Sequence, residues 1–216
     1  MFSKEKNMRY ILTLILGLLA TGCASRGLDL MTRYHEDGRA KPVAAVASMI
    51  DTSSAEIPWS LSEEFTKQIV QKVGQTGQIF VSAKEDEVFA ENPFGQDLSW
   101  VTREFPQQEF VVFMELVEHE TAPASKVKKG SDVSLNLNMA VRLRVVDVRG
   151  NQPKIVLQEI VRDSYFIPKT LLPTDYNTAV WGTSEFEKSP MGIAHEQIVQ
   201  EISTRVSDYI LLAKSR

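Results

Sequence analysis

Residues 133–145 read VSLNLNMAVRLRV. Val133, Leu135, Leu137, Met139, Val141, Leu143 and Val145 alternate with Ser134, Asn136, Asn138, Ala140, Arg142 and Arg144. A period of two over such a length marks a β-strand with one face on a core and one face toward water. Asp147 to Pro153 follows as a turn, and Ile155 to Ile167 returns, most simply as the second arm of an antiparallel hairpin. Upstream, Phe110 to Val117 (FVVFMELV) is apolar throughout and predicts a central strand.

Two helices flank these strands. Ser60 with Glu63 fits a capping box, and Leu61, Phe65, Ile69 and Val73 follow at four-residue spacing as one apolar stripe. Gly74 and Gly77 offer the left-handed backbone that ends a helix. Near the C-terminus, Ala194, Ile198, Ile202, Val206 and Ile210 form a second stripe of the same kind. Pro42 to Ala47 reads as a first strand and Gln78 to Ser82 as a second. Residues 84–96 are acidic and turn-rich, after which Asp97 predicts a short helix through Phe105, stopped by Pro106. The order is strand, helix, strand, short helix, three strands, helix. It predicts an α/β fold, an α+β sandwich in which a mixed sheet of about five strands carries two main helices on one face.

The N-terminus has a different character. Lys4, Lys6 and Arg9 precede the apolar run Tyr10 to Ala20 (YILTLILGLLA). A membrane-spanning helix needs roughly twenty apolar residues, so this shorter run with its basic start predicts a signal peptide. It ends Leu19-Ala20-Thr21-Gly22-Cys23, and small residues before a cysteine resemble the lipobox of bacterial lipoproteins. The resemblance implies cleavage before Cys23, a diacylglycerol thioether on its sulfur and an acyl group on the new N-terminus. Ala20 departs from the pattern, which usually has Leu three positions before the cysteine. Cys23 is the single cysteine of the 216 residues, so no disulfide forms within one chain, and lipidation caps a thiol that an oxidising compartment would otherwise attack. Each buried CH₂ contributes about 0.8 kcal/mol, so a modification with several acyl chains anchors firmly. The expected organisation is a signal peptide over 1–22, a lipidated tether over 23–41 and one periplasmic α/β domain over 42–216. A flexible linker of the tether's length reaches roughly 25 Å. Ala24 rather than Asp after the cysteine points to the outer membrane.

The formal net charge of −4 leaves no basic stripe for a nucleic acid. His35, His119 and His195 lie far apart with no cysteine partner and no His-Glu-x-x-His spacing, so no metal or cofactor site is predicted from them. Their ordinary role is as solvated or hydrogen-bonded side chains. There is no Gly-x-Ser-x-Gly elbow and no phosphate loop. Glu85-Asp86-Glu87 lacks the spacing of a calcium loop, and Glu115 and Glu118, three apart on a strand, are expected on opposite faces. The expectation is a protein that is not an enzyme.

The element order, from Val43–Asp51 through the capped helix, Gln78–Val81, Phe110–Val117, the hairpin 133–167 and the helix 192–213, resembles a domain of bacterial envelope lipoproteins. Among these are the curli-secretion channel lipoprotein and the lipoprotein activator of penicillin-binding proteins, with the N-terminal domain of the Tol-system propeller protein more distant. The chain also resembles a small lipoprotein family of obligate intracellular bacteria. The activator type implies a tethered, non-enzymatic interaction or assembly module that docks on an envelope protein. The alternatives are an envelope hydrolase without a recognisable motif and an oligomeric secretion-channel component. A channel fits poorly: Glu118 to Asp132 is too short for two membrane strands of about nine to eleven residues each, and one hairpin face carries Arg142 and Arg144. A partner surface is expected within Pro168–Pro190, where Tyr176, Trp181 and Phe186 fall without helical or strand periodicity. Long loops of this kind are often functional, and aromatic side chains are the usual anchors of an interface. The other reading packs the same rings on the sheet as a cover.

Overall fold

The computed structural model describes residues 33–84, 91–124, 134–168 and 175–216. The signal peptide, Cys23, the tether up to residue 32, Lys126, Lys128, Lys129, Leu171 and Leu172 lie outside the described residues. In chain order the elements are β1 (Val43–Ala47), β2 (Ile50–Asp51), α1 (Leu61–Gln75), β3 (Phe80–Lys84), α2 (Val101–Glu104), β4 (Phe110–Pro123), β5 (Leu135–Asp147), β6 (Lys154–Ile167), α3 (Ser184–Glu187) and α4 (Pro190–Lys214). The expected α/β architecture is present as a mixed six-stranded open sheet in the order β3-β1-β4-β5-β6, with β2 paired to β4. β1 runs parallel to β3 and β4, whereas β4, β5 and β6 form an antiparallel meander.

The period-two pattern of β5 determines the main core. Leu137, Met139, Val141, Leu143 and Val145 all point to one side, essentially without exposure. Against them lie Phe65, Ile69 and Val73 of α1 and Ile198, Ile202, Val206 and Ile210 of α4. Each of these large apolar side chains contributes about 1.5–3 kcal/mol on leaving water. The Ser60 hydroxyl accepts from Glu63 N–H, as expected of an N-cap, but the Glu63 carboxyl turns outward to Lys67, so only half of the capping box forms. Gly77, at φ +66°, takes the left-handed turn after the helix. Ser189 caps α4 in the same way as Ser60 caps α1, with Pro190 at the start of the helix, where its missing N–H leaves no bond unmade.

Three expectations need correction. The opposite face of β5 is not open to water along its length: Ala140, Arg144 and Val146 are buried there. A second apolar cluster of Leu98, Trp100, Val101, Phe105, Val111, Phe113 and Val146 covers that side, built on the segment around α2. Asp97 does not cap α2; its carboxyl accepts Ser99 N–H in a turn, and the helix starts later. Residues 33–41, expected in the tether, belong to the folded unit instead. A Tyr34–Ala40 bridge closes a turn there, and the Arg33 guanidinium lies 5.1 Å from the centre of the Phe80 ring.

Arg144 pins the second cluster to the sheet. It is 4% exposed, and its guanidinium donates to the carbonyls of Pro93 (2.7 Å), Gly95 (2.7 Å) and Phe94 (3.0 Å) and to Gln158 Oε1 (2.9 Å). Burial, and then the neighbouring Arg142, hold its pKa below the ordinary arginine value, so the carbonyl cage is what keeps a charge tolerable there. Replacing Arg144 by Met should cost about 2–4 kcal/mol, since charged hydrogen bonds are lost and buried carbonyls are left unmet. Arg142→Met removes the partly exposed pair with Glu115 and a contact over the Phe94 ring and should cost about 1 kcal/mol. Equal thermal midpoints for the two variants would contradict this assignment.

Candidate functional site

A residue on the buried face of α1 begins the site. Glu64 falls three positions after Leu61, on the flank of the apolar stripe, and is 0% exposed. A buried carboxyl group needs donors on both oxygens. Trp59 Nε1–H supplies one to Oε2 at 2.6 Å. Gln68, one turn further along α1, gives an amide N–H to Oε1 at 3.1 Å. His195, in the first turns of α4, supplies the third from Nδ1 at 2.7 Å. His195 is also 0% exposed, and its Nε2 lies 2.9 Å from Nε2 of His119 on β4. One of the two Nε2 atoms donates to the other and completes the chain, the direction following from the tautomers of the two rings.

His119 reaches this position through a fault in the strand. Along β4, Phe110, Val112, Met114 and Leu116 face the helices while Val111 and Phe113 face the other cluster. Strict alternation would send residue 119 away from α4. The register shifts between Leu116 and Glu118, however, and His119 pairs with Met139, whose side chain lies on the helix side. A β-bulge re-aims side chains in this way. The same bulge sets Glu115 opposite Arg142 and Glu118 opposite Ala140, two positions of one face, so the expectation that these carboxyls point apart is corrected.

The three aromatic residues expected to contact a partner divide. Phe186 is 3% exposed and belongs to the core, stacked edge-on against Trp59 (5.1 Å) and against His195 (5.6 Å). It is therefore not a surface anchor: the capped turn of α3 folds it inward, and Thr183 Oγ1 accepts its backbone N–H. Tyr176 is partly buried edge-on against Trp59 at 5.5 Å, and burial, then Glu64, push its phenol pKa up. Trp181 is partly exposed, with Lys67 Nζ 5.7 Å from its ring centre. It lines a groove of about 540 Å³ with Gln68, Gln71, Lys72, Gln75 and Glu196. Gly192 also lies on this groove, and a Cβ there would run into the Phe186 carbonyl, so only glycine lets α4 start this close to α3.

Glu64, His119, His195 and Trp59 were not recognisable as a group in the sequence. One signal was available: each stripe helix carries a single strongly polar residue on its apolar flank, Glu64 after Leu61 and His195 before Ile198, and two such positions on facing helices invite pairing. Among the described residues, no group of three or more histidine, cysteine or acidic side chains is arranged to hold a metal ion.

The His119 environment has a pH consequence. Burial, and then the neighbouring His195, lower its pKa from 6.5 to about 4. As pH falls, the unfolded chain takes up this proton first, so stability is full above about 6.5 and is lost progressively down to about 4. The loss on this account is about 3 kcal/mol. His119→Gln keeps an N–H toward His195 but does not titrate. Denaturant unfolding at the two ends of this window should show a smaller pH-dependent loss in the variant by about that amount; equal losses in both proteins would refute the assignment.

No curated protein matches the chain. Among solved structures, a hypothetical protein from Chlamydia trachomatis aligns at 25% identity with a TM-score of 0.65, covering 79% of this chain and 98% of that one. Two lower-scoring matches are the PelC dodecamer from Paraburkholderia phytofirmans (12% identity, TM-score 0.44, 78% of this chain and 89% of that one) and a lipoprotein from Neisseria meningitidis (10%, 0.39, 76% and 99%). A family model matches residues 30–214, nearly the whole of the described domain, and the chain belongs to that family, described as a family of unknown function (DUF7499).

Proposed function

We propose that this protein is a lipid-anchored interaction module of the bacterial cell envelope, held to a membrane through Cys23, with no reaction of its own and with the Trp181 face as its contact surface. The observation that carries this reading is the division of the aromatic residues. Trp59, Tyr176 and Phe186 pack on one another and on the Glu64–His195 pair, whereas Trp181 next to them stays partly exposed at a groove. A rigid aromatic side chain presented on a packed base loses little freedom on binding, which is the usual character of an interface anchor. The lipobox resemblance at Leu19–Cys23 supports the anchor, and Ala24 supports the outer membrane with the domain facing the periplasm.

The hydrolase alternative is less well supported. A carboxyl group orienting a histidine is half of a nucleophile-activating arrangement, but His195 Nε2, the atom that would face a nucleophile, is bonded to His119. The pair serves packing instead: it joins α1, α4 and β4 in one buried chain of hydrogen bonds.

The proposal is tested in cells with three variants. Cys23→Ser should abolish palmitate incorporation and release the protein from the membrane fraction. Trp181→Ala should keep the thermal midpoint within a few degrees while crosslinked partner recovery from the native envelope falls sharply. Phe186→Ala should lower stability by about 3–5 kcal/mol, as expected for a buried ring. Palmitate labelling that persists in Cys23→Ser would overturn the anchor, and unchanged crosslinking in Trp181→Ala would overturn the contact surface.

A further inference from the structure

We infer that the groove beside Trp181 binds a neutral saccharide chain. The inference rests on the interaction-module reading and names its ligand. Gln68, Gln71, Lys72 and Gln75 lie three, four and seven positions apart on α1, so they share one face of the helix. Among the described residues, no protein group bonds the side-chain amides of Gln71 or Gln75. Each such amide offers two donors and an acceptor side by side. The lysines along the groove are paired off: Lys72 meets Glu196 across it, and Lys67 holds Glu63 while lying over the Trp181 ring, so the charge left over in the lining is the carboxylate of Glu187. The groove thus presents hydrogen-bonding groups of both senses, one partly exposed aromatic face and no unpaired lysine.

That combination selects among ligands. A nucleic acid needs a run of cations to meet its phosphates, and here the lysines are already engaged. An amphipathic helix needs an apolar groove, whereas this wall is built of amides. An extended peptide takes its affinity from main-chain bonds to a sheet edge, and the groove lies between two helices. A pyranose chain has hydroxyls that both donate and accept, matching the glutamine amides, and a flat C–H face that stacks on an indole. The volume of about 540 Å³ is within the range of about 300–1,000 Å³ usual for small-molecule sites. A second hollow of about 470 Å³ continues from it past the shared Lys72 and Gln75 toward Gln78, Gln200 and Thr204, lined by amides and hydroxyls with one carboxylate, Asp208. The path suits a chain more than a single sugar.

The test uses the full-length lipoprotein in detergent micelles, titrated calorimetrically with the β-1,4-linked hexamer of N-acetylglucosamine. Saturable binding is expected, and for a neutral ligand its affinity should not change between low and high salt. Trp181→Ala, and separately a Gln71→Ala, Gln75→Ala double variant, should each weaken it roughly ten-fold or more, equivalent to about 1.4 kcal/mol, with thermal midpoints that stay within a few degrees. Binding that survives Trp181→Ala would overturn the inference. Absence of hexamer binding would also overturn it; if Trp181-dependent crosslinking to an envelope protein persists in that case, the module reading stands with a protein as its partner. If both binding and crosslinking fail, both readings fall.

Discussion

The Glu64 carboxyl group has no contact with solvent, and the surrounding structure is arranged to satisfy it. A buried carboxyl left without partners costs several kcal/mol, comparable with the net stability of a whole domain. Meeting that demand takes Trp59 from the segment before α1, Gln68 from α1 itself and His195 from α4, residues brought together from 131 positions apart in the last case. His195 in turn needs a partner on its second nitrogen, and β4 supplies His119 only because its register slips by one residue. Apolar packing alone tolerates sliding of α1 against α4, since neighbouring residues of the stripes are interchangeable in volume. A directional chain of hydrogen bonds does not, and it admits one relative placement of α1, α4 and β4. A polar group of this kind lends uniqueness more than stability.

How far this was legible from the sequence follows from which interactions are local. The β5 strand, the α1 and α4 stripes and the Ser60 cap depend on residues within a turn or two of one another, and periodicity reports them directly. The β4 bulge leaves no such trace: FVVFMELVEH carries no glycine or proline at the slip, and the extra residue shows only in its pairing with β5. Everything downstream of the bulge is hidden for the same reason, including the meeting of His119 with His195 and the shared face of Glu115 and Glu118. Alternation places Arg144 on the outer face of β5 but does not tell what covers that face. Its cover comes from Pro93, Phe94 and Gly95, about fifty positions away, whose backbone carbonyls have no side-chain signature.

The aromatic residues of the C-terminal loop show the same limit from the other direction. Composition marks Tyr176, Trp181 and Phe186 as rings that must be buried somewhere, on the domain itself or on a partner, and the structure buries Phe186 fully and leaves Tyr176 and Trp181 partly exposed. Phe186 is drawn inward by the Thr183 cap and by the absence of a side chain at Gly192. Trp181 comes after Ala179, the buried residue that ties the loop down, and just before Gly182, whose φ of +87° turns the chain into α3. A ring at such a corner is fixed by the backbone on both sides and still keeps one face outside.

Gln68 connects the two parts of the site. Its amide N–H is committed to Glu64 in the core, and the same side chain lines the groove at the surface. Rotating it to serve a ligand would leave Glu64 with one donor fewer in a place that water does not reach, so the core holds it in one orientation. Phe186 is held in the same manner, lining the groove on one side and touching His195 on the other. The groove therefore owes part of its shape to groups whose positions are set by a hydrogen-bond chain in the interior. The entropy of ordering those side chains is already spent in folding, and a ligand entering beside Trp181 has less of it to meet.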